Sequence, residues 1–520
     1  VFRGGAQQVF LLRRFMIGFG HGEPQRTRPY AGTTECQCRC NLPAIANAAI
    51  LLTEFKESER AIAMFGRLLA LKPDYDFGLG LLIFERLHSG DWADFDLLRD
   101  KIVAGIRRGE RTCKTLAFMA LSDSAADHFL CARIFAKQYC MPAQEPLWRG
   151  ERYRHQRLRI AYVSPDLREH PVGHLMCGVF EQHDKSRFET IGISLCANDG
   201  SRLRQRMLKA FDHFIDAELM ETRDIAKLMR DMEVDIAIDL AGYTSDSRTG
   251  VFAYRPAPIH MNYLGYCGTL GVEYMDYILA DRNVIPERHQ PFYQEKVVYM
   301  PNQYMPTDAS IAIADETPTR EACGLPPEGA VFCSFSHDYK ITPPLWRVWM
   351  SLLAKAPGSV LWLVSRNQGT IEHYRQAAEA HGISRDRLIF ATRVPRVEDH
   401  LARYRLADVF LDTSPYNAHT TTADALFSGC PVVTCMGDSF ASRVAGSLIQ
   451  AAGMPELVAN NWEEYEALAL RLATDKAWNR SIREKLQQQK AGAPLFDTTR
   501  FVRDLEGVFT KLAKDHGLAP

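Results

Sequence analysis

The sequence has almost no net charge: 62 Lys and Arg against 63 Asp and Glu leave a formal charge of −1. That balance offers no basic footprint for nucleic acid. No segment approaches the run of about 20 apolar residues that a membrane-crossing helix needs. The stretch Val9 to Gly20, VFLLRRFMIGFG, is too short and contains two arginines. It also lacks a signal-peptide cleavage pattern, so secretion is not expected. Metal-binding cysteine spacings are scarce as well. Of 13 cysteines only Cys36, Cys38 and Cys40 cluster, in ECQCRC, and they lack a fourth partner at zinc-site spacing. Others, such as Cys196 in TIGISLC and Cys333 in VFCSF, sit in apolar runs and read as buried free thiols. A reducing cytoplasm is the expected compartment, with no membrane or nucleic-acid partner.

What is present is ordinary globular composition, 46% hydrophobic and 24% charged, over 520 residues. That length implies roughly two or three domains. Residues 1–40 show no sustained periodicity and are set aside as an irregular segment. Residues 41–155 read as helical. In FKESERAIAMFGRLLALKPDY, Ala61, Met64, Phe65, Leu68 and Leu69 form a stripe at helical spacing, and Pro73 ends the helix. The small-against-large pattern closing in K-P-D-Y resembles the second helix of a tetratricopeptide repeat. A lone repeat cannot bury its face, so it must dock on neighbouring helices or on the next domain.

From Arg157 the rhythm changes to short β-rich runs separated by helical or loop segments. RLRIAYVS, FETIGISLC, VDIAIDLAG, IHMNYLGY and MDYILAD form a first unit, residues 156–312. AVFCSFS, SVLWLVS, RLIFAT, ADVFLDT and PVVTC, interleaved with helices, form a second, residues 313–520 with its closing helices. The expected fold class is α/β: two facing, doubly wound, Rossmann-like lobes behind a helical segment. Their strand ends should enclose a ligand cleft. No G-x-G-x-x-G follows the first strand of either unit and no G-x-x-x-x-G-K-[ST] occurs, which disfavours a dehydrogenase and a P-loop nucleotidase.

Polar residues gather directly after the strands. In the second unit His337 and Lys340 follow AVFCSFS, Arg396 and His400 follow RLIFAT, and YNAHTTTAD follows ADVFLDT. Thr420, Thr421 and Thr422 are poor interior helix residues but favourable at a helix start, where N–H and O–H donors also suit an anion. Lysine supplies a point charge for phosphate, Asp424 suits ribose hydroxyls, and the His400 imidazole suits stacking on a base. In the first unit, YVSPDLREHPVGHLM places Asp166, His170 and His174 after the first strand. They make an incomplete metal set, but an aspartate or histidine there could act as a base. A glycine-rich, tyrosine-bearing run from Leu240 to Gly271 allows close approach of a sugar or peptide.

Together, RLRIAYVSPDLREHPVGHLM, GYTSDSRTGVFAYRPAPI, LGYCGTLGVEYMDYILAD, SFSHDYKITP, ADVFLDTSPYNAHTTTADALFSGCPVVT and DSFASRVAGSLI resemble the O-linked N-acetylglucosamine transferase and SPINDLY family. The resemblance runs from Arg157 to the C-terminus. It implies an inverting glycosyltransferase of the GT-B type, needing no metal or other cofactor, that moves N-acetylglucosamine from UDP-GlcNAc to Ser or Thr hydroxyls of an acceptor protein or peptide. By matching position, Lys340 would contact the diphosphate, with His337 nearby, and His400 would stack on uracil with Arg396 and Arg403 close. Thr420 and Thr421 would hold the pyrophosphate, Asp424 the ribose, and His419 would sit beside the donor. Asp166 and His170 match residues proposed as base or acceptor-site groups. His174, Tyr243, Leu264 and the adjoining Gly265 would line the sugar pocket. Cys267 stands where many members have proline, Val172 where they have threonine, and Ser245 where animal enzymes have lysine. The alternatives are a SPINDLY-like O-fucosyltransferase using GDP-fucose and a catalytically weak adaptor. The histidine of N-A-H-T-T-T-A-D favours the UDP-GlcNAc branch.

Overall fold

A computed structural model of the chain describes residues 41–518 apart from Arg366. The cysteine cluster of ECQCRC and the whole 1–40 segment lie outside the described residues. The first helices, Leu42–Glu54 and Ser58–Leu71, form a packed pair. Ala61, Phe65 and Leu68 bury against Ile45, Ala46 and Ala49, as the periodicity predicts, while Met64 and Leu69 are half-buried at the edge of that contact. The second helix stops at Leu71 because Lys72, next to Pro73, turns extended at φ −143°. A third helix, Gly78–His88, then carries the region onto the lobes.

Two parallel sheets follow. The amino lobe contains β1 (Leu158–Ser164), β2 (Phe188–Ser194), β3 (His213–Asp216), β4 (Ile236–Asp239), β5 (Ile259–Asn262), β6 (Tyr277–Ala280) and β7 (Lys296–Tyr299), in the order 3-2-1-4-5-6-7. The carboxyl lobe contains β8 (Val331–Ser334), β9 (Val360–Leu363), β10 (Leu388–Phe390), β11 (Val409–Leu411), β12 (Val432–Cys435) and β13 (Val458–Ala459), in the order 10-9-8-11-12-13. Both repeat the doubly wound 3-2-1-4-5-6 arrangement, so each reverses direction between its first and fourth strands. All ten strands expected from the sequence are present. The three that were not expected, β3, β7 and β13, are sheet edges. β3 and β7 are half-exposed and β13 is two residues long, so none shows the continuous apolar run of a strand covered on both faces.

The helical region bridges the two lobes. On the carboxyl side Tyr339 packs between Phe84 and His88, at centroid distances of 5.1 and 4.8 Å, and Trp92 lies 5.2 Å from Trp346. On the amino side Phe135, in the helix Ala125–Tyr139, lies 4.7 Å from Tyr243. The last helix, Thr498–Asp515, leaves the carboxyl lobe and returns to the amino lobe. There Glu506 accepts the Asp184 backbone N–H at 2.8 Å and pairs with His183 at 3.0 Å.

Candidate functional site

The carboxyl ends of β1, β4 and β5 face those of β8 and β11 across a cavity of about 340 Å³. Asp166, Arg168 and His170 reach it from the β1 turn, and Leu264 and Gly265 from the β5 turn. His337 and Lys340 enter from the β8 turn, and His419, Thr420 and Thr421 from the β11 turn. Both topological switch points therefore open into one space, where ligands of open α/β sheets bind.

The carboxyl side is built around Asp412 at the end of β11. Its Oδ1 accepts the Thr413 and Ala418 backbone N–H groups at 2.8 and 2.6 Å, and its Oδ2 accepts the Thr434 hydroxyl at 2.5 Å. The loop so held presents the Asn417 carbonyl, to which Lys340 Nζ donates at 2.7 Å. The ammonium also lies 3.8 Å from the centre of the Tyr416 ring. Burial pulls the lysine down to about 8. Its hydrogen-bond and ring partners are a carbonyl and a ring face rather than a carboxylate, so an anion entering the cavity would favour the charged form further.

The helix Thr420–Phe427 begins beside that lysine. Its N-cap is His419, whose side chain does not cap it. The threonines stand at the helix start, as the sequence implies, but none of them is its N-cap: they occupy its first turn. Thr422 turns inward and donates to Ala418 O at 2.7 Å, leaving Thr420 and Thr421 at the cavity. An open helix start carries unsatisfied N–H groups and a partial positive charge. The His419 ring is committed internally. Ala441 O can only accept, so Nε2, 3.3 Å away, carries the proton. Nδ1 is then the acceptor for the Cys267 thiol at 3.3 Å. The Ala441 carbonyl thus fixes the imidazole tautomer, and the thiol of Cys267, at the position where many members have proline, meets the other ring nitrogen. Burial, followed by the Lys340 charge, holds His419 well below its usual range, so it is neutral.

On the amino side, His170 is the N-cap of the helix Pro171–Gln182, its Nδ1 accepting the Val172 N–H at 3.3 Å. Burial, with Arg168 adding to it, pulls the imidazole down to about 4. Asp166 Oδ1 lies 3.4 Å from the same ring nitrogen. Burial pushes the Asp166 carboxyl up to about 6, against the opposing pull of Arg168. Leu264 has a left-handed φ of +72°, an outlier for a bulky residue. A Cβ on Gly265 would stand 2.1 Å from Leu240 O, so only glycine lets this turn press against the β4 turn.

Other expected site residues lie elsewhere. His174 pairs with Glu169 at 2.6 Å and is not a cavity-lining side chain. Tyr243 is a core residue donating to Leu270 O at 2.6 Å, inside the contact with the helical region. Arg396 is exposed beside Glu398 and Asp399. His400 bonds Arg403, which reaches Thr392 O at 2.7 Å, and both pack against Phe335, a cavity wall. His400 is pulled down to about 4 by burial and by Arg403. Asp424, one turn into its helix, lies outside the cavity lining, and burial alone raises it to about 7. Walls that were not foreseen include Tyr339 and Tyr416, which lie inside the quoted runs SFSHDYKITP and YNAHTTTAD, and Leu116, whose helical segment gives no local signal.

Two segments, residues 142–315 and 307–505, match Glycosyl transferase family 41. The chain is 36% identical over 406 residues to an Arabidopsis thaliana protein named as a probable UDP-N-acetylglucosamine–peptide N-acetylglucosaminyltransferase, SEC, covering 76% of this chain and 41% of that one. A Caenorhabditis elegans UDP-N-acetylglucosamine–peptide N-acetylglucosaminyltransferase is 29% identical over 556 residues, covering 82% of this chain and 48% of the relative. The chain thus spans less than half the length of these curated relatives. Among solved structures, a lysine-to-methionine mutant of the Thermobaculum terrenum O-GlcNAc transferase aligns over 92% of both chains with a TM-score of 0.76 and 27% identity. The two facing lobes behind a helical segment are the GT-B arrangement expected from the sequence, and the chain belongs to glycosyl transferase family 41.

Proposed function

We propose that the chain transfers N-acetylglucosamine from UDP-GlcNAc to Ser or Thr hydroxyls of a protein or peptide, with inversion and without a metal. The observation carrying this reading is the Lys340 ammonium, buried beside the open start of Thr420–Phe427 and facing Asp166 across one cavity. The departing UDP gains negative charge, and Lys340 with the helix-start N–H groups stabilises it. The acceptor hydroxyl attacks the anomeric carbon from the opposite face and its proton passes to Asp166. Of the two candidate bases, Asp166 at about 6 is ionised near neutrality and still basic enough to take a proton. His170, at about 4 and with the Nδ1 lone pair occupied by the helix, is the weaker acceptor. The names of relatives support the donor: both curated relatives described above are named for UDP-N-acetylglucosamine and peptide.

The test is calorimetric titration with UDP and GDP, followed by a UDP-GlcNAc hydrolysis assay, which needs no known acceptor. Tighter binding of UDP than GDP, with slow hydrolysis of UDP-GlcNAc, is expected. Preference for GDP would instead favour O-fucosyl transfer. Absence of binding to either nucleotide would leave only an adaptor role.

A further inference from the structure

The run DSFASRVAGSLI supplies no cavity-lining side chain, yet its first residues connect all three parts of the molecule. Asp123 lies in the turn between the helical segments Thr115–Phe118 and Ala125–Tyr139. Its Oδ1 accepts the backbone N–H groups of Asp438 and Ser439, both at 3.0 Å, and the Ser442 hydroxyl in a short bond. A Cβ on Gly437 would stand 2.1 Å from Asp123 Oδ2, so the approach depends on glycine. On the amino-lobe side, Arg443 donates from Nε to Asn283 O and from Nη1 to Gly437 O, each at 2.5 Å.

The far side of the same loop faces the cavity residues. Ala441 O accepts the Asn417 N–H at 3.0 Å and His419 Nε2–H at 3.3 Å. Asn417 in turn accepts Lys340 Nζ through its own carbonyl. One carboxylate oxygen on the helical region therefore sets the loop whose carbonyl places both the imidazole and the carbonyl partner of the lysine.

We infer that Asp123 is a positioning residue: by holding residues 437–442 it sets the geometry of Asn417 and His419, so the helical region helps shape the anion-binding end of the cavity. The physical reason is that Asp123 satisfies three donors at once; without them the turn keeps its own Ser439–Ser442 bonds and the Arg443 tie to Gly437 O but loses its anchor to the helical region, while Ala441 O still bonds Asn417 and His419. The consequence for nucleotide affinity rests on the UDP reading proposed above, whereas the mechanical link does not.

The test compares the 520-residue chain with its Asp123→Ala and Asp123→Asn variants by amide hydrogen exchange and by UDP titration. In Asp123→Ala, exchange across 416–421 should accelerate about tenfold, and UDP should bind about fivefold more weakly. Asparagine keeps an acceptor oxygen and should remain within about twofold of wild type on both readouts. Unchanged exchange across 416–421 in Asp123→Ala, or an asparagine variant as fast as alanine, would overturn the inference. A wild-type chain that binds no UDP would overturn the donor assignment, and the exchange comparison would still decide the role of Asp123.

Discussion

The two switch points that share the cavity are built differently. At the carboxyl lobe the polar groups of the β11 turn are tied to one another. Asp412 holds the loop, Asn417 receives Lys340, and His419 spans Cys267 and Ala441. At the amino lobe the titratable pair is loose, with Asp166 and His170 at 3.4 Å. It is the backbone there that is constrained, through Leu264 and Gly265. Stabilising a developing charge favours dipoles and cations fixed in advance. A proton acceptor needs a suitable pKa and room to meet an incoming hydroxyl. Rigidity and adjustability are divided between the lobes.

Breaking the rigid half should have the largest effect. Lys340→Ala is expected to lower kcat/KM for UDP-GlcNAc hydrolysis by about 10²–10³-fold, with UDP binding lost in titration. A variant binding UDP as wild type does would move the charge compensation elsewhere. Breaking the loose half should be nearly as costly to turnover but not to affinity. Asp166→Asn should lower kcat of peptide transfer by about 10²-fold while leaving the UDP dissociation constant within a factor of about two.

The pH profile sharpens the same contrast. Asp166, raised to about 6, must be ionised, and Lys340, lowered to about 8, must be protonated. The kcat/KM of the free enzyme should therefore fall below about 6 and above about 8. The acidic limb should vanish in Asp166→Asn. Saturating UDP-GlcNAc should move the alkaline limb upward in kcat, because bound diphosphate favours the lysine cation.

Gly265→Ala tests whether the backbone constraint is structural. Its Cβ meets a carbonyl 2.1 Å away, so a loss of about 1–3 kcal/mol in stability is expected, read as a lower Tm. The smallest effect should come from His174→Ala. It removes a pair with Glu169 outside the cavity, and UDP affinity should change by less than about twofold. A large loss there would return His174 to the site.

Much of the site was legible because strand ends concentrate function. Lys340, His337, His419, Thr420, Thr421, Asp166, His170, Leu264 and Gly265 all line the cavity, and each follows a strand readable from its apolar run. Local sequence carries no signal where orientation within a turn or helix decides the outcome. Thr420 and Thr421 face the cavity while Thr422 bonds backward, although the three are identical in sequence. His174 and His170 share one short run, yet one caps a helix at the cavity and the other pairs outside it. Tyr243 looked like a pocket residue in its glycine-rich run and is covered by Phe135 from a helix more than one hundred residues earlier.

The sequence by itself determined the α/β class, ten of the strands, the helical segment before them and the residues at the strand ends. These depend on local periodicity and on turn chemistry, which adjacent residues carry. Tertiary structure alone decided that both switch points open into one cavity and that the helical region spans the lobes. It also decided the tautomer of His419, fixed by the Ala441 carbonyl, with Cys267 from the facing lobe meeting the other ring nitrogen. Each of these depends on contacts between residues far apart in the chain, where burial and hydrogen-bond partners are set by packing rather than by neighbours in sequence.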